Sequence, residues 1–244
     1  MPSHDGGTEK NMLGIIAAMQ KEADMIVDAM TDAVEETAGG VHFVRGSLNG
    51  YPAVCSVCGV GKVFAAMATE AMIIKYSPTL IVNTGVGGTL TDKLSIGDVA
   101  ISDAVCQHDM DTTPLGDELG LISGINRVYF EADENAVREI EDIAAMLGIK
   151  TARGTIASGD RFVASTEEKK RITESFSGCV SCEMEGGAVG HVSFVAGVPF
   201  AVIRAISDDA DGGACDDYPS FAANAARQSA AIVIELSRRL AKTL

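Results

Sequence analysis

Basic residues are scarce: 19 Lys and Arg stand against 34 Asp and Glu in 244 residues, a formal net charge of −15. A field of that sign repels both a nucleic-acid backbone and an anionic membrane surface, so neither is expected as a partner. Long hydrophobic runs are missing too. No stretch approaches the roughly twenty apolar residues a membrane span requires, and the first eleven residues, MPSHDGGTEKN, carry no apolar signal core. A soluble, cytoplasmic protein is expected. Residues 1–11 form a disordered tail on this reading, because Gly, Ser, Asp and Lys offer nothing to bury. Internal repeats are absent, and 47% apolar with 22% charged residues fits one globular domain over 12–244.

Three ligand patterns are present but incomplete. Cys55-Ser-Val-Cys58 and Cys179-Val-Ser-Cys182 are C-x-x-C pairs that elsewhere build a four-thiolate zinc site. Both lie in strand-like runs, where residues three apart face opposite sides of a sheet, and buried free thiols are the expectation. Gly59-Val-Gly-Lys-Val63 contains Gly-Lys, yet Val63 replaces the Ser or Thr that a phosphate-binding P-loop places on magnesium. His108 with Asp109 and Asp111 lacks a fourth ligand and reads as polar loop. No metal and no cofactor are expected.

Periodicity gives an alternating pattern. Met12 to Ala18 predicts a strand and Met19 to Met30 an amphipathic helix, with Glu22 in its first turn, where a carboxylate complements the helix dipole. Val41 to Ser47 and Tyr51 to Cys58 predict a hairpin across Asn49-Gly50. A helix follows from Gly59 to about Lys75, then a buried strand from Leu80 running into a glycine-rich loop through Thr89. Glycines in such a loop let a ligand approach backbone N–H groups. Ile96 to Val105 is a further strand, Asp133 to Leu147 a helix, Lys150 to Ala157 a strand, and Ser220 to Lys242 a closing helix with a small-residue face.

The most informative stretch is Cys179 to Asp211, which concentrates Glu183, Met184, Glu185, Arg204, Asp208, Asp209 and Asp211 around one small-residue helix. A short strand, the helix Gly187 to Ala196 and a β-branched strand Val198 to Ile206 predict a βαβ unit of a largely parallel sheet. Ligands of open α/β sheets sit beyond the carboxyl ends of strands. Glu183, Met184 and Glu185 leave one such end, Ser207 and Asp208 the other.

The runs VSCEMEGGAVGHV and VPFAVIRAISDDAD, with the opening GIIAAMQKE, closely resemble the signature of the 5'-methylthioadenosine/S-adenosylhomocysteine nucleosidases of the nucleoside phosphorylase superfamily. The resemblance covers roughly residues 12 to 244. It implies an α/β chain with a single-domain, three-layer α/β/α phosphorylase/hydrolase-like fold and a central mixed twisted sheet. It also implies release of adenine from methylthioadenosine or adenosylhomocysteine, 5'-deoxyadenosine being a further candidate, in methionine salvage and without cofactor.

By resemblance, Glu22 is the base for water, Asp208 the acid at the purine N7, and Glu185 the ligand of the ribose hydroxyls. Arg204 would hold Glu185 ionised, since an adjacent guanidinium lowers a carboxyl's pKa. Met184 would pack on the sugar, and Gly87, Gly88, Glu183 and Ser207 would complete the pocket. Phe162, ordinarily a core residue, would stack on adenine while the Val163 backbone reads its edge. Tyr218 would sit near the 5' end. The 107–122 loop would cover the neighbour's site in a homodimer through Thr112, Leu115 and Ile122. Val86 departs from the family's usual Ser. It also lacks the donors a phosphate nucleophile requires, so water is favoured. A purine nucleoside phosphorylase, an aminodeoxyfutalosine hydrolase and a purine-binding protein on the same fold remain alternatives.

Overall fold

The computed structural model describes residues 11–211 and 218–244, with 218–221 and 223 described in backbone only. The expected tail therefore lies almost wholly outside the described residues, as do Cys215 and the side chain of Tyr218.

The strand and helix order is β1 (Leu13–Ala17), α1 (Gln20–Asp28), β2 (Met30–Ala38), β3 (Val41–Leu48), β4 (Tyr51–Val57), α2 (Lys62–Tyr76), β5 (Leu80–Thr89), β6 (Val99–Gln107) and β7 (Tyr129–Glu131). It continues with α3 (Glu134–Met146), β8 (Thr151–Ser158), α4 (Thr166–Ser175), β9 (Cys179–Glu183), α5 (Gly186–Ala196), β10 (Phe200–Asp208) and α6 (Tyr218–Leu240). Among the described residues, ten strands form one mixed sheet ordered β10-β6-β8-β9-β5-β1-β4-β3-β2, with β7 on β6. β10 also pairs with β5, so β5, β9, β8, β6 and β10 close into a barrel from which β1, β4, β3 and β2 extend.

One apolar cluster joins the sheet to α1, α3 and α6, through Ala23, Ile26, Val137, Ile140, Ala226 and Val233 among others. A second joins it to α2 and α5 through Ala65, Ala68, Met72, Ala188 and Val189. These are the two helical layers of an α/β/α arrangement. The small-residue face expected on the last helix is buried at Ala222, Ala225, Ala226, Ser229, Ala230 and Val233. The Asn49-Gly50 hairpin forms with both residues at positive φ, 53° and 85°, as a two-residue primed turn requires.

Four expectations are corrected. β9 and β10 do not pair and form no βαβ unit: β9 lies antiparallel to β5 over Gly88 and Thr89, whereas β10 runs parallel along β5 and antiparallel to β6. Barrel closure, which local periodicity does not encode, makes that difference. Gly85, Gly87 and Gly88 belong to strand β5 rather than to a loop. Met30 opens β2 instead of ending α1. Cys179 and Cys182 share one cluster with Cys106, because a register shift in the β8–β9 pairing after Cys179 adds a residue and turns both thiols to the same side. Cys55 and Cys58 do fall in different clusters. The described cysteines Cys55, Cys58, Cys106, Cys179 and Cys182 are free thiols.

Helix α5 is pressed onto the barrel at Gly190, where a Cβ would stand 2.4 Å from Val105 Cγ2 and 2.8 Å from the Phe200 ring. Overpacking of this kind costs about 1–3 kcal/mol. Gly190→Val is accordingly expected to lower unfolding stability by about that amount, read from the urea midpoint at constant m-value. An unchanged midpoint would show that the helix shifts without cost.

Candidate active site

The pocket opens where β5, β9 and β10 cross. It is lined by Ala18, Met19, Glu22, Val60, Val86, Gly87, Gly88, Arg161, Phe162, Val163, Cys182, Glu183, Met184, Glu185, Ser207 and Asp208. Ten of the fifteen residues expected at the site are therefore brought together from separate parts of the chain. The glycines of β5 matter through what they admit. A Cβ on Gly85 would lie 2.8 Å from Glu22 Oε1, one on Gly87 2.9 Å from the Cys182 carbonyl, and one on Gly88 2.7 Å from Asp208 Oδ1. Their bare backbone makes room for the protein's own carboxylates and for the β5–β9 crossing.

Glu22 sits in the first turn of α1 and its carboxylate is fully enlisted by backbone. Oε2 accepts from the N–H groups of Ala18 (3.0 Å) and Met19 (2.8 Å), and Oε1 from Val86 N (3.1 Å). Burial nevertheless dominates and holds its pKa above the usual range, against the lowering by Arg204 and these three donors. Asp208 closes β10. Its Oδ2 accepts from Ser207 Oγ (2.8 Å) and its Oδ1 from Ala210 N (3.0 Å), and burial again raises its pKa.

Arg204 departs from expectation. Its guanidinium is buried behind the pocket and is held by Glu183 through both Nε (3.0 Å) and Nη2, while Glu185 lies 3.8 Å away. The carboxylate that Arg204 holds ionised is Glu183, whose pKa is lowered despite complete burial. Glu183 spends its remaining capacity on Ser158 Oγ and on the N–H groups of Glu185 (3.0 Å) and Gly186 (2.8 Å). Glu185, by contrast, is raised to about 7 by burial first and by Glu183 second. Its protein donor at hydrogen-bond distance is Gly61 N, at 2.8 Å on Oε1.

Phe162 is 51% exposed at the pocket rim, and Val163 is buried beside it. Three expected residues lie away from this chain's own pocket. Thr112 bonds Asp117 (2.7 Å), Leu115 projects 83% exposed, and Ile122 is buried in the second apolar cluster with Phe130 and Val189. In its own chain Ile122 is folded inward by the turn closed by Ile122 N to Arg127 O (2.8 Å). Met19, Val60, Arg161 and Cys182 were not anticipated. Met19 reads as helix core and Cys182 as a structural thiol. Val60 offers one signal, standing between two glycines, Gly59 and Gly61, that both adopt positive φ. Among the described residues no group of three or more His, Cys, Asp or Glu is placed to hold a metal ion, and no helix is long and apolar enough to cross a membrane.

A closed mixed barrel extended by four strands, with carboxylates converging where its strands cross, places the chain in the phosphorylase superfamily, which its residues 12–238 match. Within it the chain belongs to the 5'-methylthioadenosine/S-adenosylhomocysteine nucleosidase family. It is 38% identical over 229 residues to the nucleosidase of Shewanella loihica, covering 93% of this chain and 99% of that one. The Neisseria meningitidis nucleosidase, solved in complex with methylthio-immucillin-A, superposes with a TM-score of 0.90 at 31% identity, over 94% of this chain and 99% of that one. The futalosine hydrolase of Helicobacter pylori is similar in fold as well, with a TM-score of 0.88 at 30% identity, over 96% of this chain and 99% of that one.

The raised Glu185 has a consequence for stability. A carboxyl with a higher pKa in the folded state binds more protons there than in the unfolded chain, so stability falls as pH rises from the ordinary carboxylate range towards about 7. Glu185→Gln is expected to flatten this slope, leaving a smaller difference in melting temperature between about pH 5 and pH 8 than the parent protein shows. Identical slopes would mean that Glu185 ionises normally.

Proposed function

We infer that this chain hydrolyses the N-glycosidic bond of 5'-methylthioadenosine and S-adenosylhomocysteine, releasing adenine, with Glu22, Glu185 and Asp208 as the reacting carboxyls. The observation that carries the assignment of roles is the convergence of three carboxyls with three different environments on one pocket. Breaking the ribosyl bond builds positive charge on the sugar and negative charge on the departing purine. The reaction therefore calls for an acid at the base, an anion at the ribose and a base for water. Asp208, whose raised pKa favours a proton, serves as the acid. Glu185, with Oε1 held by Gly61 N and Oε2 3.8 Å from Arg204 Nη2, takes the ribose hydroxyls. Glu22, held by three backbone donors, orients and deprotonates the water.

Water as nucleophile is supported by the surroundings of Glu22: among the described residues, the cation that acts on it, Arg204, is buried behind the pocket and held by Glu183. Arg161 lies on the Phe162 side and pairs with Glu168 at 2.6 Å. A phosphate there would lack the charge that offsets its desolvation.

A homodimer is the second part of the reading. Helix α2 leaves Val63 (69% exposed), Phe64, Met67 and Ile74 uncovered along one side, continuing Val60 at the pocket, and Leu115 projects on the neighbouring segment. These positions recur at helical spacing, and an apolar stripe facing water invites a copy of itself across a two-fold axis. That arrangement would bring Leu115 over the partner's pocket. Free thiols throughout the described residues fit a reducing compartment, and we place the protein in the cytoplasm.

Adenine release from methylthioadenosine, followed with and without phosphate, tests the activity; a strict phosphate requirement would overturn hydrolysis. Glu22→Gln is expected to cut turnover by about 10²–10⁴-fold while adenine still binds. Val86→Ser, by adding one hydroxyl near the water, is expected to raise turnover by at most about tenfold, since a neutral hydrogen bond contributes roughly 0.5–1.5 kcal/mol. Glu22→Gln hydrolysing at the parental rate would remove Glu22 as the base. For the dimer, sedimentation at micromolar concentration is expected to show two chains, and Val63→Asp to shift the protein to monomer. A monomeric parent protein would sink that part.

A further inference from the structure

The Gly59-Val-Gly-Lys-Val63 run, with Val63 where a phosphate-binding loop carries Ser or Thr, has a use in the structure. Lys62 Nζ donates to Asp109 Oδ1 at 2.6 Å, Asp160 N donates to Asp109 Oδ2 at 2.9 Å, and Lys62 N donates to Asp160 Oδ1 at 2.7 Å. These bonds close a triangle between three segments distant in sequence: the start of α2, the end of β6, and the loop after β8. Helix α2 begins at Gly61, which has no side chain to cap it, so Asp160 supplies from another segment the acceptor that the helix's first N–H needs. The Lys62 and Asp109 side chains are only 17% and 28% exposed, and Asp109 is held below the usual carboxylate range, Lys62 being its principal stabilising partner against burial.

We propose that Lys62, Asp109 and Asp160 form a positioning clip that keeps the Gly61 N–H on Glu185 and the Phe162 loop at the pocket rim. The proposal rests on the reading of Glu185 as the ribose ligand. Gly59 and Gly61 have φ of 97° and 102°, conformations that glycine tolerates, and Val60 between them is half exposed, so this short segment has little side-chain packing of its own. On one side it is tied to Ala18 by Gly59 N (3.1 Å). On the other side Gly61 N donates to Glu185, and the adjacent Lys62 enters the triangle. Asp160 is two residues before Phe162, and Gly159 N reaches the Glu183 carbonyl at 3.1 Å. Opening the triangle at any corner leaves Gly61 N–H free to leave Glu185.

The groups that act on Glu185 from its surroundings are Glu183 on β9, Arg204 on β10, Glu22 on α1 and Cys58 after β4. None of them is changed by substitutions in the clip. Lys62, Asp160 and His108 are the charged or titratable neighbours of Asp109. Losing the Gly61 donor removes a contact that favours the ionised carboxyl, so Glu185 takes its proton at higher pH.

The test compares pH profiles of kcat/KM for methylthioadenosine in the parent protein, Lys62→Met, Asp109→Asn, Lys62→Arg and Glu185→Gln. Lys62→Met and Asp109→Asn are expected to lower kcat/KM by about tenfold, mainly through KM, and to move the acid limb to higher pH. Their double variant should behave like either single one, and Lys62→Arg should restore most of the loss. Profiles with the parental limb and kcat/KM within about twofold, while Glu185→Gln abolishes the limb, would overturn the clip alone. A lowered melting temperature without any movement of the limb would also overturn it, leaving a purely structural role. If Glu185→Gln keeps the parental limb, the assignment of Glu185 fails and the clip falls with it.

Discussion

The buried guanidinium of Arg204 is the constraint around which the site is arranged. A cation removed from water is tolerable only if its hydrogen bonds and charge are met, and here Glu183, Asn83 Oδ1 and the Ile203 carbonyl meet them. Glu183 then reaches onward to the N–H groups of Glu185 and Gly186, the first donors of α5, where a carboxylate is favoured. One ion pair thus fixes the end of β9, the start of α5 and the backbone of Glu185 at once. Replacing it by a lone partner would leave an uncompensated charge, which in buried pairs costs about 3–5 kcal/mol.

Arg204 also influences Glu22 and Glu185 by charge alone. Three carboxyls share one cation, and proximity decides which benefits. Glu183, in direct contact, is held ionised. Glu185, 3.8 Å away and beside the ionised Glu183, is raised instead, and Glu22 is raised by burial that its three donors do not offset. The different protonation tendencies follow from this unequal sharing.

Much of this was legible in the residues. The strands around Leu13, Leu80 and Phe200 announce themselves by apolar runs, and Glu22, Glu185, Phe162 and Asp208 by their place at element ends and in the family's motifs. What escaped depends on partners far along the chain. Strand β2, MTDAVEETA, is polar enough to pass for a loop, and it becomes a strand by pairing with β3. Helix α4, TEEKKRITES, buries little beyond Ile172 and is recognisable mainly by its Ser165 cap. The resemblance points Arg204 at Glu185, which it does approach at 3.8 Å, but its direct hydrogen bonds go to Glu183, because β9 ends between the two glutamates and turns their side chains differently. The glycines of β5 suggested open space for a ligand, whereas their missing Cβ atoms are answered largely by Glu22, Asp208 and β9.

The proposed chemistry makes opposite demands on two carboxyls that burial shifts in the same direction. Asp208 needs a proton to give to the departing purine, and desolvation supplies the tendency to keep one. Glu185 needs to be an anion when the sugar becomes cationic, and desolvation works against it. Glu185 is nevertheless held to about 7 because Arg204 and the Gly61 N–H oppose burial and Glu183. Asp208 has no cation among its principal influences, and Asp209 and Asp211 push it further up. A positive ribose arriving next to Glu185 then tips a nearly balanced group to the ionised form. The negative charge developing on the purine meets a group that burial biases towards holding a proton. Preorganisation here consists in setting Glu185 near its tipping point and biasing Asp208 towards its protonated form, with the same low-dielectric pocket acting on both.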